Sequence, residues 1–500
     1  MKERVQRVAG ALRGLRAAKA LSAHDSWHAE RLRRHQRERL LATVRHAAAT
    51  SPYYRERLAG IELSDDLHPA ALPTLDKAAM LEHFDELVTD PRLTLAGVEA
   101  HLADLEHSDD DALLLGEYRV MASGGSTGRR GVFVYGRDDW IEILGGFIRW
   151  TSDFLGQTPR FPHRRRIAAI SADSPLHMTG RMGLSTDIGL HRTVRLDARE
   201  PLGKQVEVLN AYQPETLVGY SSSVAQLAGE QLAGRLRIAP DVVATTSEVR
   251  TAEMEERILA AWGRAPFNAY ASTETGFLAA DCDRHFGMHL FSDLVYLEVL
   301  DRAGRPVRPG EPGSRVLVTN LVNRAQPLIR FELGDLITLS DRACLCGRPH
   351  PLLERVDGRS DDVLDLPAAA GGTVSVHPLA IRSPLAKVAD LAEYRVLCEP
   401  ESLRVQAVLV GGAGDPGPVT EEIASRLNAS LAERGVGALP IVVEHVREIP
   451  RHPRTGKRRL IETSDANTEL SLARDRGWDD VPTTPQPLFS VESPPPRPRG

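Results

Sequence analysis

Between residues 166 and 270 the chain repeats one alternation, a short apolar run followed by a longer amphipathic one. The runs at 167–170, 216–218, 242–245 and 267–270 have the length of buried strands. The segments 206–211, 223–233 and 252–262 carry helical periodicity between them. Strands that alternate with helices predict an α/β fold with mostly parallel sheets, because each helix carries the chain back across the sheet. At 500 residues the chain is too long for one core, so two domains or more are expected.

The texture changes after residue 294. The runs 295–300 and 314–319 alternate in polarity, and the loop between them begins Asp301-Arg302-Ala303-Gly304, as in an antiparallel hairpin. Asp357-Gly358-Arg359-Ser360-Asp361-Asp362 reads as a polar turn. A smaller α+β unit follows, with strands at 403–410 and 441–445 and a helix at 419–433. The predicted organisation is a large domain over 1–357, a small mobile lid domain over 358–465, and a disordered Pro-rich tail over 466–500.

Residues 23–57 read as one helix ending in Ser51-Pro52-Tyr53-Tyr54. Residues 1–40 are basic and amphipathic, with Val5, Val8, Leu12, Leu15 and Leu21 set among Arg and Lys. They lack the continuous apolar centre of a secretory signal and read as a surface helix packed on the body. No apolar run approaches a membrane span, so the default compartment is the cytoplasm. A net charge of -6 argues against a partner such as nucleic acid that binds by charge alone.

Five short segments carry chemistry. The first is Ser123-Gly124-Gly125-Ser126-Thr127-Gly128-Arg129-Arg130-Gly131, which gathers backbone N–H groups, hydroxyls and cations around one point, as a polyphosphate requires. It is not a Walker loop, since no Gly-Lys-Ser/Thr ending follows. Its bland alternative is a Gly/Ser linker. The second, Tyr270-Ala271-Ser272-Thr273-Glu274-Thr275-Gly276, follows an apolar strand, at the sheet edge where open α/β sheets bind ligands. Its bland alternative is a helix N-cap at Ser272 or Thr273. The third, Arg330-Phe331-Glu332-Leu333-Gly334-Asp335, ends in an aspartate that can accept two ribose hydroxyls, or is a plain Gly-Asp turn. The fourth is Gly358-Arg359-Ser360-Asp361-Asp362, and the fifth is the basic loop Pro453-Arg454-Thr455-Gly456-Lys457-Arg458-Arg459. Their bland alternatives are a linker turn and a solvated loop.

In this order the five segments resemble the adenylate-forming superfamily of acyl-CoA synthetases, over most of the chain. The resemblance is nearest to the phenylacetate–CoA ligase-like branch. It rests further on Ala49-Thr50-Ser51-Pro52-Tyr53-Tyr54-Arg55, on the stretch from Thr319-Asn320-Leu321 to Pro327-Leu328-Ile329-Arg330, and on Cys344-Leu345-Cys346-Gly347-Arg348. The resemblance implies a two-step reaction. A carboxylate, aryl or arylacetic by analogy, attacks the α-phosphate of ATP, and a nucleophile then captures the acyl-adenylate.

It also implies roles. Ser123, Gly124, Gly125, Ser126, Thr127 and Gly128 would hold the β- and γ-phosphates. Ser247, Glu248, Tyr270 and Ala271 would line the adenine site, with Ser272 and Thr273 on the phosphates. Glu274 would hold Mg²⁺, Asp335 and Arg359 the ribose. Lys457 would bridge the carboxylate and the α-phosphate, then leave by rotation about Asp361. The pocket for the acid would be built by Tyr135 and the segments 177–190, 219–223 and 268–271.

The leading acceptor is a thiol, CoA or a carrier protein, and the alternative is an amine. The segment after the hinge, Leu366-Pro367-Ala368-Ala369-Ala370-Gly371-Gly372-Thr373-Val374, is larger than the family's glycine-rich turn, which counts against CoA. A homodimer is left open.

Cys344 and Cys346, one residue apart, look like half a metal site. With Cys282 and a histidine they would form a closed, structural Cys₃His zinc site. The family pattern favours His289 as the histidine, and the short spacing from Cys282 favours His285. The alternative is three reduced thiols.

Overall fold

The computed structural model describes residues 2–106, 112–123, 130–155, 164–172, 174, 176–186, 189, 191–388, 390–410, 416–453 and 455–463. The Pro-rich tail expected to be disordered lies outside these residues.

A nine-stranded sheet forms the centre. Its spatial order is Asp335–Leu339, Leu352–Arg359, Met288–Leu290, Gly276–Asp281, Phe267–Ser272, Val242–Thr246, Thr216–Tyr220, Arg166–Ser171 and Arg192–Asp197. From Phe267–Ser272 to Arg192–Asp197 every pair is parallel. The pairs on the other side of Phe267–Ser272 are antiparallel, so the sheet is mixed. The parallel half is the alternating region of the sequence, and its crossovers carry the helices Met178–Thr186, Leu202–Tyr212, Ser221–Leu232 and Ala252–Trp262. The last of these starts and stops where its sequence signals lie. Thr251 accepts the Met254 N–H at 3.3 Å, Glu253 and Glu255 sit in the first turn, and Gly263 takes a left-handed φ of 66° after the last turn.

The N-terminal helix, Lys2–His24, lies along the helix Arg137–Leu155. Two glycines let them approach. A Cβ on Gly14 would meet Leu144 Cδ2 at 2.9 Å, and one on Gly145 would meet Ala17 Cβ at 2.7 Å. The single helix expected over 23–57 is instead two, Ala29–Thr50 and Pro52–Arg57, after a turn at 25–28. Pro52 has no N–H with which to continue a helix but is suited to begin one. Ser51 caps that start by accepting the Tyr54 N–H. The polar turn expected at 357–362 is also shorter than read. The strand Leu352–Arg359 runs through Arg359, held by the 2.6 Å hydrogen bond from Thr338 Oγ1 to Asp357, and only Ser360–Asp362 turns.

A second sheet of four strands, in the order Ile441–His445, Leu403–Leu409, Leu391–Cys398 and Ile461–Thr463, has its own core. Val396, Val405, Ile423 and Leu427 are fully buried in it, beneath the helices Leu379–Leu385 and Gly417–Ala432. Among the described residues no helix is long and apolar enough to cross a membrane.

Candidate active site and thiol cluster

The described site residues line one cleft of about 2330 Å³ between the large sheet and the small one. Ser123, Ser247, Glu248, Tyr270, Ala271, Ser272, Thr273, Glu274, Asp335, Arg359, Asp361 and Lys457 all contribute to its walls. Gly124, Gly125, Ser126, Thr127 and Gly128 lie outside the described residues. Ser123 Oγ accepts the Gly131 N–H at 2.9 Å, and the Ser123 N–H donates to the Gly131 carbonyl at 2.8 Å, so the two ends of that loop are clamped together.

Tyr270 to Gly276 is a tight antiparallel hairpin, not a helix start. Gly276 closes it with φ 80°, where a Cβ would strike Ile143 at 2.9 Å. Two buried side chains hold its tip from behind. Tyr135 donates to the Thr273 carbonyl at 2.7 Å, and Asn320 Nδ2 donates to the Glu274 carbonyl at 3.0 Å. Tyr135 is fully buried and does not line the cleft, contrary to the sequence expectation, because its hydroxyl is committed to this support. Glu274 is left half-buried in the cleft wall, and burial of its carboxyl pushes the pKa up.

Beside it, Tyr270 donates its hydroxyl to Asp335 at 2.7 Å, and Arg359 Nη1 lies 3.5 Å from the other Asp335 oxygen. Asp335 and Arg359 are direct partners across neighbouring strands, so the ladder itself brings them together. Gly334 makes room for the guanidinium, since a Cβ there would meet Arg359 Nη2 at 2.8 Å. The Asp335 charge raises the Arg359 pKa and keeps it cationic.

Lys77 was missed by sequence reasoning. It is the first residue of the helix Lys77–Glu82, which Asp76 caps by accepting the Ala79 N–H at 2.8 Å. Leu75 exchanges backbone hydrogen bonds with Arg330 and Glu332, fixing the segment against the cleft. Burial lowers the Lys77 pKa, and the charges of Glu274, Arg359 and Asp361 all act on it. A lone lysine after a capping aspartate carries no signal in sequence. Only the register of Leu75 against Arg330 reveals it.

From the small sheet comes Lys457. Its ammonium lies 5.9 Å from the centre of the Tyr220 ring. Burial lowers its pKa, opposed by the negative charge of Glu248. Its loop is closed on itself, with the His452 N–H donating to the Lys457 carbonyl at 2.8 Å and the Gly456 N–H to the His452 carbonyl at 2.9 Å. Ser247 stands before Glu248 with φ 68°, a left-handed conformation uncommon for a residue with a side chain.

Aromatic side chains contribute to the lining of the cleft, although they are only 5% of the chain. Phe147, Trp150 and Phe277 line the cleft with ring centres 5.3–6.3 Å apart, together with Met178 and Met182.

Away from the cleft, Cys282, His289, Cys344 and Cys346 bring one ligand atom each within 4.8 Å of one another. Cys282 Sγ is 3.6 Å from Cys344 Sγ, and Cys346 Sγ is 3.2 Å from His289 Nε2. Burial pushes the Cys282 thiol up to about 12, so a neutral thiol is favoured there unless a cation compensates. His285 stands apart, its Nδ1 3.6 Å from Asp281 and its ring 4.6 Å from that of Phe267. Three sulfurs and one imidazole nitrogen fit the donor set of a tetrahedral zinc site.

No family model matches the chain. Over 418 residues it is 25% identical to the phenylacetate-coenzyme A ligase of Thermus thermophilus, covering 77% of this chain and 82% of that one. Its structure superposes on 2-hydroxyisobutyryl-CoA ligase in the postadenylation state with TM-score 0.65 at 20% identity, covering 88% of this chain and 92% of that one. The same ligase in its thioesterification state superposes with TM-score 0.53 at 20% identity, covering 91% and 94%. The fold is the one seen in these acyl-CoA ligase structures. In sequence the chain is similar to phenylacetate-coenzyme A ligases at 25% identity over about three quarters of its length.

Proposed function

We propose that this chain is an AMP-forming acid–thiol ligase, which activates an aryl or arylacetic acid with ATP and passes the acyl group to CoA. One observation carries the reading. Lys457, borne by the small core, reaches a cleft whose opposite wall presents Glu274, Asp335 and Arg359, and its charge interacts with theirs. Attack of a carboxylate on the α-phosphate builds negative charge around phosphorus, and cations placed beforehand stabilise it without reorganisation. Lys457 and Lys77 supply such cations from two sides. Asp335, fixed by Tyr270 and Arg359, accepts the ribose hydroxyls. Glu274 would hold Mg²⁺, which adds positive charge on the phosphate oxygens when bound. Phe147, Trp150 and Phe277 offer an apolar, flat-sided wall suited to an aryl group.

Lys457 then withdraws by rotation of the small unit about Asp361, in the turn Ser360–Asp362 between the two cores. The enlarged turn at 368–372 does not argue for another acceptor. It is a closed hairpin end, with the Ala368 N–H donating to Gly372 at 3.0 Å and the Ala369 N–H to Gly435 at 2.9 Å. The amine reading has no observation of its own. The thiol cluster would hold one structural zinc ion through Cys282, His289, Cys344 and Cys346, which leaves no open coordination position.

The test is ATP–pyrophosphate exchange over a panel of carboxylic acids, followed by product mass with CoA or an amine. Exchange with an aryl acid and a CoA thioester as product support the reading. A product that needs the amine and ignores CoA replaces it.

A further inference from the structure

Glu248 makes hydrogen bonds that a residue lining an adenine pocket would not need. One carboxylate oxygen accepts the N–H of Ser222 at 2.9 Å, in the first turn of the helix Ser221–Leu232. The other accepts the N–H of Arg458 at 2.8 Å, the residue directly after Lys457. The carboxylate thus joins the large unit to the backbone of the lysine loop. The left-handed Ser247 turns the chain just before it, and Ser221 Oγ donates to the Glu248 carbonyl at 3.2 Å.

The same helix end receives further contacts from the small unit. Arg451 donates to Ser222 Oγ at 3.1 Å and to Gln226 Oε1 at 2.6 Å, and also to the Gly456 carbonyl of its own loop at 3.0 Å. Arg199 donates to the Pro453 carbonyl at 3.3 Å. Gly456 lies so close to this platform that a Cβ would meet Arg199 Cγ at 3.3 Å, Ala198 Cβ at 3.4 Å and Tyr220 Cε2 at 3.8 Å.

We propose that Glu248 is a positioning residue for the first half-reaction: its carboxylate seats the lysine loop on the first turn of the helix Ser221–Leu232 and so fixes where the Lys457 ammonium stands. The inference rests on the reading that Lys457 serves adenylation. A rigid carboxylate that accepts two backbone N–H groups is a directional joint. It engages only while the small unit is docked as seen here. Once that unit rotates, Arg458 leaves and Glu248 keeps the helix N–H alone. Its effect is therefore confined to the step that needs Lys457 in place.

The experiment compares Glu248→Gln and Glu248→Ala with the parent in two assays. The first is ATP–pyrophosphate exchange, read as kcat and as KM for ATP. The second is the reaction of a chemically prepared acyl-adenylate with CoA. Loss of charge-assisted hydrogen bonds lowers the exchange kcat by about 10- to 100-fold in Glu248→Ala, with a smaller loss in Glu248→Gln, which retains one acceptor. KM for ATP and the rate of CoA capture stay within about threefold, the range of an indirect effect. A rise in KM for ATP at constant kcat would make Glu248 part of the nucleotide pocket and overturn the proposal. So would an equal loss in both assays, the mark of general structural damage. If Glu248→Ala does not fold, the near-isosteric Glu248→Gln carries the same split. Lys457→Ala is run in parallel. Normal exchange in that variant would defeat the adenylation role of Lys457 itself, which is a separate failure from that of the joint.

Discussion

The hydroxyl of Tyr270 donates to the Asp335 carboxylate at 2.7 Å, tying the hairpin that carries Glu274 to the strand that pairs with Arg359. Burial raises the Tyr270 pKa, and the Asp335 charge raises it further, so the phenol stays protonated and donating. Tyr270→Phe keeps the ring and removes the bond. The expected result is a KM for ATP raised about tenfold, the scale of one hydrogen bond to a charged group, with kcat nearly unchanged. Steady-state kinetics at varied ATP reads it. An unchanged KM would show that Asp335 needs no such tether.

Lys457→Ala should lower pyrophosphate exchange by about 10²–10³, the loss typical of one preorganised transition-state contact. Capture of a supplied adenylate should survive. Burial lowers the Lys457 pKa, so its cation is present at low pH and is lost as pH rises through that lowered value. The alkaline limb of the exchange profile should therefore fall below the ordinary lysine value of about 10.4. Lys457→Arg should carry that limb upward even if it reacts slowly. A limb that stays put in Lys457→Arg would assign it to another group.

Elemental analysis should find one zinc per chain in protein purified without added metal. Cys282→Ser and His289→Ala should each lose the zinc, whereas His285→Ala should keep it. Chelation should lower the melting temperature, because the ion would join the turn after one central strand to the turn before another. Three freely titrating thiols in metal-free protein would refute the assignment.

Arg149, on the long helix beside the N-terminal one, makes a bidentate ion pair with the fully buried Asp293, at 2.7 and 3.1 Å. Burial acts against the Asp293 charge, but Arg149 and His24 hold its carboxyl well below the usual carboxylate range. Arg149→Met should cost about 3–5 kcal/mol at neutral pH by stranding that charge. The sign with pH follows. In the parent the depressed pKa contributes stability above about pH 3.9 that is lost as pH falls through the folded value. In the variant Asp293 protonates sooner, so its deficit should shrink in acid. Denaturant melts at two pH values decide it, and a deficit that grows in acid would contradict the assignment.

Much of this was legible in the chain. The helix Ala252–Trp262 and the strands Val295–Leu300 and Ile441–His445 fall on the predicted residues, and the helix does so because capping groups mark its ends. Helix breaks were harder. Nothing in the periodicity of residues 23–57 shows that the chain turns at 25–28, since His24 and Asp25 acquire their partners, Asp293 and His350, only through tertiary packing. The choice between His285 and His289 turned on the same kind of fact. Strand pairing places His289 opposite Leu352, a few residues after the cysteine pair, and no spacing rule encodes that. Lys77 and the joint at Glu248 depend on contacts across more than two hundred residues, the distance at which one sequence read alone falls silent.

The lysine loop carries hydrogen bonds of its own, from His452 to Lys457 and from Gly456 back to His452, beside those to the surface it rests on. Under the proposed rotation these bonds would travel with the loop, like the bit of a key. To that extent turnover would not refold it, and part of its ordering entropy would be settled once, when the chain folds. Breaking the seat beneath the loop would then be one step that limits exchange between the two half-reactions. A weaker seat would quicken release and blur placement at the same time, so the enzyme's rate and its accuracy are set against each other at one patch of backbone.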